Sequence, residues 1–320
     1  MADTAPEATP HTGAEPGEGA PDGPPEGVPW ISPEIQQRIG WRDGDVVVSV
    51  PPKSGTTWTM NIVHQLREGG DVSFRDIYVE VPWIEFVPTP ESTIDRIVAD
   101  IDAMGHHRRR AFKTHSGPGE LPYLPPEKGP DVRYVVVMRH PDEAVASFHP
   151  FLLGHSDEFF ALWGMPREMI APDLPTFFEE IGGMMLSQLF GFVAAWWPLR
   201  HAENVCFVHY ADLKDDPERE IRRIADCLDM EVAEQDWPAI VEYTSFGWMK
   251  ANEDRFELRG LNCGVPILQP GAMVRRGRKG AAAEDGITPE MSAAIAALGA
   301  EIVEDPEALR WLYEGGPLPE

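Results

Sequence analysis

The chain has 320 residues with 42% hydrophobic content, which is enough apolar material for one large core or two small ones. Its formal net charge of −26 argues against a nucleic-acid partner and against docking on an anionic membrane, because both contacts need basic surfaces. A site for a phosphorylated ligand in so acidic a chain must therefore gather lysines and arginines locally.

The first 29 residues contain mostly Pro, Gly, Ala, Glu, Asp and Thr, and we expect a disordered acidic tail there. No basic stretch followed by an apolar one marks a signal peptide, and no apolar run reaches membrane-spanning length. The three cysteines lack C-x-x-C spacing, which disfavours a disulfide framework or a zinc site. These features predict a cytoplasmic protein in which residues 30–320 form one domain.

Four short apolar runs each lead into a residue that can bind an anion or transfer a proton. Val46–Val50 leads to Lys53, Arg110–Lys113 to His115, Tyr134–Met138 to Arg139, and Val205–Val208 to Tyr210. Continuous apolar runs are typical of strands that are buried on both faces of a parallel sheet. Such sheets bind ligands beyond the carboxyl ends of their strands, so we expect the four side chains to converge at one edge.

Together with helices predicted around them, the parallel strands indicate an α/β fold. The predicted helices are Thr56–Arg67, Pro141–Phe148, Leu174–Arg200, Pro217–Leu228 and Pro289–Leu298. Residues 149–173 mix aromatic residues, Gly and Pro without a clean period, and we expect a long loop or lid there.

The turn after the first predicted strand reads Pro-Lys-Ser-Gly-Thr-Thr-Trp, over residues 52–58, and a helix follows it directly. Free backbone N–H groups at a helix N-terminus favour an anion, so this turn predicts a phosphate-binding loop. A nucleoside triphosphatase loop has its lysine after the second glycine, whereas Lys53 comes before Gly55. The loop is therefore of another kind.

The string P-K-S-G-T-T-W resembles the 5′-phosphosulfate loop of the sulfotransferases that use 3′-phosphoadenosine-5′-phosphosulfate (PAPS). The resemblance implies a P-loop-like three-layer fold with a central parallel sheet, and PAPS as co-substrate without a metal. It also implies transfer of a sulfuryl group to a hydroxyl or amine of a small-molecule or lipid acceptor. The residues that it places around the 5′-phosphate and against adenine are Lys53, Ser54, Gly55, Thr56, Thr57 and Trp58.

Two further segments resemble the family's sites for the 3′-phosphate. Arg139 and Ser147 match an arginine and a serine eight residues apart. Residues 271–280 resemble the family's R-K-G-x-x-G loop, and the matched positions are Arg275, Arg276, Gly277 and Gly280. This sequence departs from the family after the last glycine, where two alanines replace the family's Asp-Trp, so the loop lacks the family's anchor on the domain. Tyr210, Thr244 and Phe246 lie in segments that resemble the family's adenine contacts, with Met249 and Asn252 following at the family's offsets.

The catalytic residues implied by the resemblance are His115, Lys53 and Lys113. His115 closes the K-T-H string, and an imidazole has an ordinary pKa near the operating pH of a general base. Lys53 would stabilise the bridging oxygen of the leaving phosphate, Lys113 would share the charge of the sulfuryl oxygens, and Ser147 would hold Lys53 until the acceptor arrives. Trp83, Phe86 and Phe151 are the candidate acceptor contacts.

Two other functions remain open from the sequence. A nucleotide kinase is disfavoured by the position of Lys53. A nucleotide-binding protein that has lost catalysis is disfavoured because Lys53 and His115 are both present. The acceptor and the oligomeric state are not indicated by any motif.

Overall fold

The protein is described by a computed structural model over residues 28–105 and 109–320. The predicted acidic tail lies outside this range apart from its last two residues, as do His106 and His107. Four parallel strands form one sheet in the order β2-β1-β3-β4. The strands are β1 (Val46–Ser49), β2 (Ala111–Thr114), β3 (Arg133–Met138) and β4 (Val205–His209). All four runs predicted from apolar content are confirmed as strands.

Helices cover both faces of the sheet. Within the described residues they are α1 (Glu34–Arg38), α2 (Thr56–Glu68), α3 (Ile77–Glu80), α4 (Ile94–Asp102), α5 (Pro141–Leu153), α6 (Asp157–Leu162), α7 (Leu174–Phe177), α8 (Gly183–Trp196), α9 (Tyr210–Asp215), α10 (Pro217–Cys227), α11 (Trp237–Tyr243), α12 (Phe246–Ala251), α13 (Pro289–Ile302) and α14 (Pro306–Glu314). Short 3₁₀ segments lie at Arg167–Met169, Trp197–Leu199, Glu253–Phe256 and Arg259–Leu261.

One predicted loop and one predicted helix need correction. Residues 149–173 are not one long loop, because α5 continues to Leu153 and α6 follows, with the Ser156 hydroxyl accepting a hydrogen bond from the Phe159 N–H as its N-cap. The single helix predicted over residues 174–200 is interrupted by a π-helical segment, Phe178–Gly182, between α7 and α8. Such a segment adds a residue to the local turn and shifts the helix face that follows it.

The alternation of side chains along the strands divides the interior into two hydrophobic clusters. Val46 and Val48 pack in one cluster with α2, α10 and α11, whereas Val47 packs in the other with α5, α8, α13 and α14. The three layers are therefore helices, sheet and helices, as the sequence predicts. No helix in the described part of the chain is long and apolar enough to cross a bilayer.

Candidate active site

The carboxyl edge of the sheet opens into one large cavity of about 1170 Å³. Lys53, His115, Arg139 and Tyr210, which follow the four strands, all line it. The predicted convergence at this edge is therefore observed. It follows from the parallel order of the strands, which brings all four carboxyl ends to the same side.

The loop between β1 and α2 has an unusual backbone. Lys53 has φ of 64° and Gly55 has φ of 105°, both in the left-handed region. A Cβ at Gly55 would lie 2.9 Å from the Tyr210 ring, so only glycine fits there without displacing that ring. Gly55 makes no side-chain cap, and the first N–H groups of the 13-residue helix α2 are therefore available to an anion. Ser54 is fully buried, and its Oγ has no hydrogen-bond partner among the described residues.

Arg139 is held in place by three neighbours. Its Nη1 donates to the Lys53 carbonyl oxygen at 2.8 Å, and its Nε donates to Glu143 Oε2 at 2.9 Å. The guanidinium carbon lies 4.5 Å from the centroid of the Tyr210 ring. Ser147 lines the same cavity from α5. This arrangement fixes the guanidinium next to the phosphate loop, where it can bind a second phosphate.

The aromatic residues predicted for adenine also line the cavity. Trp58 packs edge-on against Tyr210 at 5.7 Å between centroids, and Phe246 lies at the opening, 37% exposed. Thr244 does not line the cavity, because its hydroxyl donates to the Ile240 carbonyl oxygen at 2.8 Å. Its own carbonyl oxygen accepts a hydrogen bond from Trp58 Nε1 at 2.8 Å. The structure therefore gives Thr244 a role in orienting Trp58.

The basic loop near the C-terminus lines the cavity beside Phe246. Arg275, Arg276 and Gly277 line it, and a Cβ at Gly277 would lie 2.3 Å from the Phe246 ring. Arg276 pairs with Asp285, while burial lowers the pKa of Arg275. The two alanines that replace the family's Asp-Trp begin a turn: the Ala281 carbonyl oxygen accepts from Asp285 N–H at 2.9 Å, and Ala281 is buried. The loop is thus anchored without the family's tryptophan.

The ring of His115 is oriented by a backbone contact. Its Nδ1 lies 2.6 Å from the Val50 carbonyl oxygen, and since a carbonyl only accepts, the proton is on Nδ1. Nε2 then carries the lone pair, because the ring's hydrogen bond among the described residues is made by Nδ1. Burial, with the charge of Lys113, lowers the pKa of His115 to about 3. The imidazole is therefore neutral near pH 7. Its pKa lies below the operating pH, whereas the sequence predicts a pKa close to it.

Two lysines flank this histidine. Lys53 Nζ lies 4.0 Å from the centroid of the Phe151 ring, and Lys113 Nζ lies 3.0 Å from that of Trp83. Burial and the charges of Arg275 and Arg139 lower the pKa of Lys53 to about 7. Burial also lowers the pKa of Lys113 well below its ordinary value. A negatively charged ligand would favour the ammonium form of each lysine.

A family model described as "Sulfotransferase domain" matches residues 43–298. The chain belongs to the sulfotransferase family. Sulfotransferase 1A1 of Rattus norvegicus is 30% identical over 231 residues, which cover 68% of this chain and 70% of the relative. Sulfotransferase 1E1 of Homo sapiens is 29% identical over 211 residues, which cover 66% and 68%.

Solved structures resemble this sulfotransferase in fold. Mouse sulfotransferase SULT7A1 complexed with PAP is 18% identical with a TM-score of 0.64, and the match covers 90% of this chain and 94% of that one. Retinol dehydratase in complex with retinol and PAP is 21% identical with a TM-score of 0.64, covering 85% and 84%. The predicted PAPS-dependent sulfotransferase class and the predicted P-loop-like α/β fold are both confirmed.

The three aromatic residues that are predicted to contact the acceptor line the cavity together with many more apolar residues. Trp83 and Phe86 stack at 5.0 Å between centroids, and Phe151 contacts Lys53. The sequence prediction did not name most of the remaining wall, which includes Phe159, Phe160, Met165, Met169, Met184, Met185 and Phe192. These residues come from α6, the following turn and α8, where periodicity gave no indication that they face a ligand.

The sequence reading also missed Glu85, which is buried beside Lys113 and His115. Its Oε1 accepts from His115 N–H and Trp83 Nε1, both at 2.8 Å, and its Oε2 accepts from the hydroxyls of Thr114 at 2.5 Å and Ser116 at 2.7 Å. Burial alone would raise the pKa of Glu85, yet the charge of Lys113 holds that pKa below its ordinary value. Glu85 thus fixes the end of β2 where Lys113 and His115 lie.

No cluster of three or more His, Cys, Asp or Glu side chains that could hold a metal occurs within residues 28–105 and 109–320.

Proposed function

We propose that this sulfotransferase moves the sulfuryl group of PAPS to the hydroxyl of a small apolar acceptor, with His115 as general base. The observation that carries the proposal is that the lone pair of His115 Nε2, the ammonium of Lys53 and the phosphate loop meet in one cavity. Sulfuryl transfer needs these three elements: a base, a cation at the leaving oxygen and an anchor for the nucleotide.

The nucleotide would be anchored at three places. The N–H groups at the start of α2 and the hydroxyls of Thr56 and Thr57 would hold the 5′-phosphate. Arg139, Ser147 and Arg275 would hold the 3′-phosphate, since a guanidinium can bind two phosphate oxygens at once. Trp58 and Phe246 would enclose the adenine, with Tyr210 beside them. Arg276 and Gly277 would complete the loop that covers the nucleotide.

The reaction is an in-line displacement at sulfur. His115 Nε2 takes the proton of the acceptor hydroxyl while the acceptor oxygen forms its bond to sulfur. The bond between sulfur and the bridging oxygen breaks, and its electron pair stays on the 5′-phosphate of the departing 3′-phosphoadenosine-5′-phosphate (PAP). Lys53 stabilises the charge that develops on that oxygen, and Lys113 the charge on the sulfuryl oxygens.

Bound PAPS should also raise the pKa of His115. The positive charge of Lys113 is one of the causes that lower the pKa of His115. The negative groups of bound PAPS offset that charge, so the pKa of His115 rises toward a value suited to accepting a proton. The base is thereby strengthened when the donor is in place.

The acceptor side favours an uncharged, apolar molecule. Its walls are phenylalanine and methionine side chains, and the net charge of −26 repels anionic acceptors at long range. The retinol dehydratase structures hold retinol or androsterone, which are apolar alcohols, and this supports the same acceptor class here. An apolar amine or a lipid-linked hydroxyl would use the same base and the same cavity.

The test is product analysis with PAPS and 2-naphthol by liquid chromatography and mass spectrometry. We expect PAP and naphthyl sulfate in equal amounts, and no phosphorylated product when ATP replaces PAPS. Lys53→Ala should lower the rate, whereas Lys128→Ala, at an exposed site outside the cavity, should leave the rate unchanged. If PAPS binds but no alcohol, phenol or amine becomes sulfated, the protein is a nucleotide-binding protein without transferase activity.

A further inference from the structure

His155 is a polar residue in the apolar wall of the cavity, and the proposed mechanism does not use it. It is 7% exposed and lies among Phe151, Phe159 and Phe160, with ring centroids between 4.8 and 6.0 Å from its own. Buried polar groups are normally hydrogen-bonded. The hydrogen bonds of this ring therefore decide what the group can do.

One edge of the ring is fully committed. Its Nδ1 lies 3.1 Å from the Phe151 carbonyl oxygen and 3.2 Å from that of Leu152. The backbone on both sides is fixed as well, because Ser156 N–H donates to the Ile267 carbonyl oxygen at 2.9 Å and Gln269 N–H donates to that of Gly154 at 2.8 Å. The ring is held in one orientation before any acceptor binds.

The other edge of the ring carries an unused lone pair. Both carbonyl oxygens only accept, so the proton is on Nδ1 and Nε2 is an acceptor. In the part of the chain that the structure describes, both hydrogen bonds of this ring are made by Nδ1 and none by Nε2, and His155 lines the cavity. Burial, together with the charges of Lys53 and Arg167, lowers the pKa of His155 to about 4. The ring therefore stays neutral above about pH 5 and keeps this lone pair.

The ring also lies near the reaction centre. The Phe151 ring contacts both groups: its centroid is 4.0 Å from Lys53 Nζ and 4.8 Å from the centroid of His155. An acceptor whose hydroxyl reaches the sulfur beside Lys53 would thus extend past Phe151 toward His155. The far end of such a molecule, roughly one or two ring widths away, would meet Nε2.

We infer that His155 forms a second binding point for the acceptor, and that it selects molecules with a second hydrogen-bond donor opposite the reacting hydroxyl. The inference rests on the proposed function and narrows the acceptor class to apolar diols and amino alcohols. An acceptor without that donor would leave Nε2 buried and unpaired. Such an acceptor should therefore bind more weakly than one that has the donor. The expected preference is about ten- to hundredfold, the range for pairing a buried polar group.

The test compares naphthalene-2,6-diol with 6-methoxy-2-naphthol, which have similar size and similar reacting phenols but differ in the second donor. The symmetric diol offers two reacting hydroxyls, so kcat/KM for the diol should be about twice that for the methoxy compound even when the enzyme has no preference. We expect a ratio of about ten or more for the native protein and a ratio near two for His155→Phe. His155→Gln, which keeps an accepting oxygen, should retain part of the preference. His155→Leu replaces His155→Phe should the latter fail to fold.

The control is His149→Phe. His149 is equally buried, but its Nε2 bonds to the Ala171 carbonyl oxygen at 2.9 Å and it does not line the cavity. This variant should keep the native ratio. Binding of both naphthols to the PAP complex, followed by calorimetry, gives a second readout that does not depend on transfer.

The readouts separate the two proposals. Preferential binding of the diol to the PAP complex without any sulfation would support the role of His155 and contradict the proposed reaction. Sulfation of both naphthols at a ratio near two, or a preference that survives in both His155→Phe and His155→Leu, would overturn the role of His155 and leave the reaction standing.

Discussion

The lowered pKa of Lys53 predicts that PAP binding takes up a proton. Burial and the charges of Arg275 and Arg139 place the pKa of Lys53 near 7, so at pH 8 about nine-tenths of the side chain is neutral in the free protein. The phosphates of PAP favour the ammonium form and raise this pKa again. Binding at pH 8 should therefore take up about 0.9 protons.

The sign of the pH dependence follows from that uptake. Affinity for PAP is highest below the pKa of the free lysine and falls as the pH rises above about 7, by about tenfold per unit until the pKa of the complex is reached. The ordinary pKa values of phosphate and imidazole lie lower, so neither group contributes much in this window. Lys53→Ala should bind PAP with a weaker pH dependence than the native protein between pH 8 and 9.5, because the other buried lysine of the site, Lys113, can still take up a proton.

The assay is isothermal titration calorimetry at pH 8 in two buffers of different ionisation enthalpy, which gives the number of protons directly. Lys128→Ala serves as the control because this lysine is exposed and lies outside the cavity. Uptake below about 0.2 protons by the native protein would refute the argument, since a lysine with an ordinary pKa is already charged at pH 8. Equal uptake by Lys53→Ala would show that another group binds the proton.

Three further results are expected. PAP should raise Tm in a thermal-shift assay while ATP at equal concentration does not, because the set of Arg139, Ser147 and Arg275 suits a 3′-phosphate; equal shifts would contradict the assignment of that set. His115→Ala should slow transfer to alcohols by about 10²- to 10⁴-fold and to acidic phenols less, as for a lost general base; an equal loss for every acceptor together with a lower Tm would indicate a structural role. Glu85→Ala should lower the free energy of unfolding by about 3–5 kcal/mol in urea titrations, because four donors, including the buried hydroxyls of Thr114 and Ser116, lose a bond to its carboxylate; a change below about 1 kcal/mol would show that the network is dispensable.

The sheet and its active edge could be predicted because each strand is a continuous apolar run that ends at a polar residue. A strand that is buried on both faces is apolar throughout, without alternating polar residues, so it is easily recognised. The parallel order of the strands then brings their carboxyl ends together. Lys53, His115 and Arg139 were therefore placed correctly by pattern. The phosphate loop could also be predicted from the sequence. Only glycine fits at position 55, where φ is positive and the Tyr210 ring leaves no room for a Cβ.

The rest of the site depends on contacts that leave no local pattern. Glu85 lies in an apolar segment, and its four donors become neighbours only when that segment meets the end of β2. Thr244 was expected at the adenine, yet its hydroxyl is used inside its own helix and only its carbonyl acts on the site, through Trp58. α6 has only six residues, too few for a hydrophobic period to be recognised.

The long-range contacts around the phosphate loop have a consequence for the order in which the protein is made. Arg139 meets Lys53 across 86 positions, Trp58 meets Thr244 across 186, and the Thr57 hydroxyl meets Met273 across 216. A chain emerging from the ribosome has its phosphate loop early but gains the last of these partners only near residue 273. Nucleotide binding should therefore begin late in synthesis, so a chain stopped before α11 would hold an intact loop sequence and still lack a cofactor site.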